Sequence, residues 1–156
     1  MGYTTDFSGS IRIDPPLTKA EQIRVNDFAE ERHEGAEFPG IWCQWVATED
    51  GTELEWDGGE KFYNSAAWMR WLISTYLADT GLATHTLNGE IDAQGEDPDD
   101  RWRLYVVDNV VSVETAEFVF GDPVVEPERE VRRTFAVTLD EQSGRVADIV
   151  EKVPST

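Results

Sequence analysis

The chain has 156 residues, the length of one domain, and its 32 acidic against 13 basic residues give a formal net charge of −19. A field of that sign repels nucleic acid and anionic lipid, which disfavours direct binding to either and favours basic proteins or cations as partners. A lone cysteine, Cys43, excludes an internal disulfide and a multi-cysteine zinc site, and no apolar run reaches the ~20 residues of a membrane span.

An aromatic content of 11% argues for a packed core rather than disorder. With no charged-then-apolar leader at its start, the chain reads as a soluble protein of a reducing bacterial cytoplasm.

Residues 3–13 alternate weakly through Phe7, Ile11 and Ile13 and are expected to form a first strand. Asp14-Pro15-Pro16 ends it, because proline withholds a ladder donor and restricts the residue before it. Thr18 and Glu21 form a T-x-x-E capping box, which predicts a helix over 19–32 with Ala20, Ile23 and Phe28 inward. His33 and His85 stand isolated in the sequence and are expected at the surface.

Residues 40–77 hold five of the six tryptophans, and the fold is expected to condense there. A strand over 41–47 places Ile41, Cys43 and Trp45 on one face, and Trp42, Gln44 and Val46 on the other. Asp50-Gly51 is a favoured hairpin dipeptide, returning through 52–57 with Leu54 and Trp56 inward. A helix over 66–79 follows, with Trp68, Met69, Leu72, Ile73, Tyr76 and Leu77 on one face and Gly81 as its cap.

A third strand region spans 84–94 with Leu87, Gly89, Ile91 and Ala93 facing one way. Strands over 101–107 and 110–120 are joined at Asp108-Asn109, residue types that tolerate positive φ. The stretch 121–130 reads as a linker, and 131–139 with 145–153 as a C-terminal hairpin.

The expected fold is α+β, a ferredoxin-like (split βαβ) antiparallel sheet with two helices on one face. An extra hairpin and a C-terminal β extension complete it. Residues 1–120 form the core domain, 121–130 the linker, and 131–156 a hairpin packed on the same domain. The free sheet face, carrying Trp42, Val46, Tyr105 and Val107, would call for a cover, which makes a homodimer one expectation.

The segments GIWCQWVATEDGTELEWDGGEKFY (40–63), LNGEIDAQGEDPDD (87–100) and VVDNVV (106–111), with the opening MGYTTDFSGS, form a recognisable pattern. Over residues 1–115 it resembles a family of small proteins found in bacteriophage genomes and in actinobacteria and other bacteria. The resemblance implies a cytoplasmic accessory protein, phage-encoded, and carries no activity or catalytic residue with it.

Two groups of carboxylates stand out: Glu55, Asp57 and Glu60, then Glu90, Asp92, Glu96, Asp97, Asp99 and Asp100. If the 52–57 and 87–94 strands were neighbours, Glu55 and Asp57 would converge with Glu90 and Asp92. Such a set suits a divalent cation or paired acid/base work. A solvated acidic face is the other reading of the same residues. Trp42 and Tyr105 are the aromatic surface candidates. Cys43 between two tryptophans reads as a small buried hydrophobe, and Gly58-Gly59 lacks the spacing of a phosphate loop.

The leading function is a non-enzymatic acidic protein that binds or inhibits a host macromolecule, with nucleic-acid mimicry as its sharper form. A small divalent-cation-dependent enzyme or ligand binder is the alternative, and a self-associating structural protein the second. No resident cofactor is expected beyond a possible divalent cation.

Overall fold

The computed structural model describes residues 2–78 and 85–123, together with the backbone of 134–139 and 146–152. Strand β1 (Thr5–Asp14) stops where the two prolines begin, and α1 (Lys19–Glu30) starts from the capping box. Thr18 Oγ1 accepts from the Glu21 N–H at 3.2 Å, and Glu21 Oε1 accepts from the Thr18 N–H at 2.9 Å. The phase of α1 differs from expectation. Gln22, Val25, Phe28 and Ala29 face inward, whereas Ala20 and Ile23 are exposed. The polar member Gln22 hides this stripe from a reading that counts apolar residues, because its amide is satisfied by donating to the Leu17 carbonyl at 3.1 Å.

Strand β2 is only Trp45–Ala47, and β3 is Glu53–Trp56. Residues 41–44 are irregular, Ile41 and Trp42 are exposed, and Cys43 is buried as expected. Gly51 turns the hairpin at φ +73° and lies buried against α1. A Cβ there would stand 2.6 Å from the Leu17 carbonyl oxygen and 2.5 Å from Gln22 Nε2. Gly51→Ala is therefore expected to cost more than the about 1–3 kcal/mol of left-handed strain alone. Gly58→Ala is the control, because Gly58 has a similar φ of +84° with nothing within 4 Å of the added carbon. Urea unfolding of the two variants checks this, and equal losses would show that the contact with α1 does not matter.

Helix α2 (Ser65–Leu72) runs on into a π-helical turn, Ile73–Leu77. Trp68, Met69, Leu72, Ile73 and Leu77 are buried and Tyr76 partly so, as the spacing predicts. The expected glycine cap, Gly81, lies outside the described residues.

Strands β4 (Thr86–Gly95), β5 (Arg101–Val107) and β6 (Val110–Thr115) form a meander. The turn between β5 and β6 is the two residues Asp108 and Asn109, at φ +46° and +69°. Both values match the left-handed pair that a two-residue hairpin needs.

The six strands make one sheet in the order β2-β3-β1-β4-β5-β6, antiparallel at every pairing. Alternation sends Phe7, Ile11, Ile13, Leu54, Leu87, Ile91, Leu104 and Val106 to one face. There they form a single core with Val25 and Phe28 of α1 and Trp68, Met69 and Leu72 of α2. Both helices thus cover the same face, and the unit is α+β. The opposite face presents Asp6, Ser8, Arg12, Glu55, Asn88, Glu90 and Asp92 to solvent. Tyr105, Val107 and Val46 lie on the same face.

Residues 1–118 are one compact unit and 119–156 a second. In the second, β7 (Thr134–Leu139) and β8 (Val146–Lys152) pair antiparallel, the hairpin expected of that stretch. Residues 124–130 of the expected linker lie outside the described ones. Among the described residues no helix is long and apolar enough to cross a membrane.

Candidate functional site

Register decides what the acidic residues can do. Pairing of β4 with β5 sets Asp92 opposite Arg103 and Glu90 opposite Tyr105 on the open face. Arg103 Nε donates to Asp92 Oδ1, and Nη1 lies 3.8 Å from Glu90 Oε2. Nη1 also donates to the Tyr105 hydroxyl at 3.1 Å, with the guanidinium 5.7 Å from the centre of that ring. The hydrogen bonds to Asp92 and Tyr105 raise the pKa of Arg103 further and keep the guanidinium charged. Glu90, Asp92 and Tyr105 are thus knit to one cation.

Glu55 and Asp57 do not join them. Strand β1 lies between β3 and β4, so the two carboxylate pairs stand two strand spacings apart, about 10 Å. The residue of β3 that reaches β1 is Glu53, whose Oε1 accepts from Ser10 Oγ at 2.8 Å. Asp57 folds onto its own turn, accepting from the Gly59 N–H at 2.7 Å. Glu60 is exposed, and only its backbone carbonyl is engaged, by Gln44 Nε2 at 2.9 Å.

Asp97, Asp99 and Asp100 sit in the turn between β4 and β5, where Asp100 Oδ2 accepts from the Tyr3 hydroxyl at 2.6 Å. Glu96 Oε1 accepts from the Thr4 N–H at 2.7 Å, so this acidic turn is fastened to the first residues of the chain. At the β2–β3 turn, Asp50 accepts from the Thr52 hydroxyl, the Thr52 N–H and the Thr48 hydroxyl, which hold its carboxyl below its ordinary range. Trp42 is 46% exposed beside the buried Cys43. Burial, opposed by a hydrogen bond with the Trp45 backbone and helped by the Asp57 charge, pushes the Cys43 thiol up to about 12. That thiol is no nucleophile at neutral pH.

Among the described residues no group of three or more His, Cys, Asp or Glu stands together to hold a metal ion. The carboxylates are distributed over separate strands and turns. A cavity of about 910 Å³ on the open face has Asp6, Ser8, Asp92, Arg101, Arg103 and Glu114 among its lining. With Glu117 also in the lining, it mixes two guanidinium groups with four carboxylates.

Both histidines are buried, against expectation. His33 stacks on Phe28 at 3.9 Å and its Nε2 bonds the Phe28 carbonyl at 2.8 Å. His85 is 2% exposed, with Nδ1 2.6 Å from the Pro15 carbonyl and Nε2 2.6 Å from Glu21 Oε2. The capping-box glutamate, with one oxygen left over after the cap, was the only sequence signal for that pair.

Residues 1–118 contain 24 acidic and 8 basic residues. Among the described residues only Arg32, His85 and Arg103 make ion pairs. Most of the surface carboxylates therefore face water without a cationic partner. Compared with protein-family models, curated proteins and solved structures, the chain matches none.

Proposed function

We propose that the protein is a non-enzymatic interaction protein whose acidic surface engages a macromolecule with a basic surface. The observation that carries this reading is the uncompensated charge of residues 1–118, spread over strands, helix and turns rather than gathered at one centre. A distributed field steers and holds a basic partner, whereas catalysis by carboxylates needs them converged. In its sharper form the surface stands in for phosphate charge on a nucleic-acid-binding host protein. The setting that fits is the cytoplasm of a bacterial host, with the chain a phage-encoded accessory. A ferredoxin-like sheet is the matching fold reading, supported by the order β2-β3-β1-β4 with β1 flanked on both sides by antiparallel strands.

Affinity capture of the tagged protein from a host lysate, eluted in salt steps, tests the function. Raising salt from about 0.15 M to about 1 M shortens the screening length from about 8 Å to about 3 Å, so a charge-held partner is released. One stoichiometric, basic partner leaving at elevated salt is expected. The doubly neutralised variant Asp97→Asn, Asp99→Asn is expected to release it at lower salt. Recovery of no basic partner would refute the reading.

A further inference from the structure

The geometry points to the outer edge of β6 as a strand-addition site for an extended, basic segment of a partner protein. This rests on the interaction reading and specifies its partner. The sheet has two edges, and only one is closed. On β2 the side chain of Asn26 takes both backbone groups of Ala47, accepting from its N–H at 2.8 Å and donating to its carbonyl at 3.4 Å.

On β6 the two-residue turn makes Val107 and Val110 a hydrogen-bonded pair, so Tyr105 with Ser112 and Arg103 with Glu114 are hydrogen-bonded pairs too. The Ala116 N–H continues the series to the Arg101 carbonyl at 2.9 Å. Val111, Val113 and Thr115 therefore turn their N–H and C=O groups away from β5. Arg70 Nη2 reaches the Val111 carbonyl at 3.5 Å. Among the described residues of 1–118 nothing hydrogen-bonds those of Val113 and Thr115.

Edges of this kind are commonly blunted by lysine, proline or a bulge. The sequence VVSVET has no lysine or proline, and its ladder with β5 is regular. Val107, Val110, Val113 and Phe118 are each 46–67% exposed, which gives the edge an apolar rim. Glu114 and Glu117 supply negative charge beside it. Charge selects the occupant: two copies at −19 repel, whereas a strand alternating basic and apolar residues pairs its cations with Glu114 and its apolar side chains with Val113.

The test is amide NMR with a six-residue peptide alternating lysine and valine, against its glutamate–valine counterpart. The lysine peptide is expected to shift and slow the exchange of the Val113 and Thr115 amides, and the glutamate peptide to do neither. Val113→Pro removes a solvent-facing N–H without touching the β5 ladder, so the fold persists and binding falls by about tenfold or more. Thr115→Pro repeats the test at a second outward N–H. Equal affinity of Val113→Pro and the native chain would overturn the proposal, as would equal response to both peptides. Protection of these amides that grows with protein concentration alone would assign the edge to a second copy instead. If Val113→Pro still captures the salt-released lysate partner as the native chain does, the acidic-surface reading stands and strand addition falls. Peptide binding at the edge with an empty capture column gives the reverse.

Discussion

Phe7→Ala is expected to lower the unfolding free energy by about 3–5 kcal/mol, a large share of the stability of a domain this size. The ring of Phe7 lies between Trp45, Trp56, Phe62 and Trp102, at centroid distances of 5.4, 5.5, 5.7 and 5.8 Å, each in edge-to-face geometry. These partners come from β2, β3, the loop before α2 and β5, so the one side chain joins both halves of the sheet. Removing it leaves a cavity that four rigid rings cannot all collapse into, and forfeits edge-to-face contacts worth about 0.5–1.5 kcal/mol each beyond their area. Phe7→Leu retains most of the volume and is expected to lose less. Ile23→Ala is the contrast, because a side chain 51% exposed on α1 should change stability by no more than about 0.5 kcal/mol. Urea unfolding followed by tryptophan fluorescence measures all three. A loss below about 1 kcal/mol for Phe7→Ala would mean that the core condenses elsewhere.

The sequence already carried the local half of this arrangement. Alternation identified Phe7, Ile11 and Ile13 as inward, and the three-and-four spacing from Trp68 to Leu77 located the buried stripe of the second helix. The capping box at Thr18 and Glu21 and the tight turn at Asp108-Asn109 were legible because each depends on residues only a few positions apart. Strand order was not legible from facing alone. Alternation gives the outward side of Glu55 and of Glu90 correctly, but whether they meet depends on β1 lying between them, a pairing between distant segments. The phase of α1 was lost because Gln22, satisfied by Leu17, behaves as a core residue. His85 read as a surface residue because its partner Glu21 is 64 positions away. For the candidate site, the acidic surface was visible in composition, while the open edge of β6 follows only from its register with β5 and its place at the end of the sheet.

Glu21→Gln is expected to destabilise the protein by about 2–3 kcal/mol at neutral pH and to remove part of its loss of stability in acid. The Pro15 carbonyl can only accept, so His85 Nδ1 donates to it, and Nε2 faces the Glu21 carboxylate. The ring is held between these two oxygens, in a place where it is 2% exposed. Replacing the carboxylate with an amide exchanges a charge-assisted hydrogen bond to a buried ring for a neutral one. Because the Glu21 side chain is itself 26% exposed, water recovers part of the loss, and the expected cost falls below that of breaking a fully buried pair. Burial alone would raise the Glu21 pKa. The hydrogen bonds from His85, the Thr18 N–H and the Thr18 hydroxyl outweigh it and hold the carboxyl below its ordinary 4.5. A carboxylate with a lowered pKa in the folded state contributes stability that is complete above 4.5 and is lost as the pH falls through the folded value. The difference in unfolding free energy between the native chain and Glu21→Gln should therefore shrink as the pH falls below about 4.5. Parallel curves down to about pH 3 would show that the pair contributes nothing. A double-mutant cycle with His85→Gln isolates the coupling. Since the two residues join the start of α1 to the entry of β4, the same cycle measures how firmly the first helix is tied to the sheet it covers.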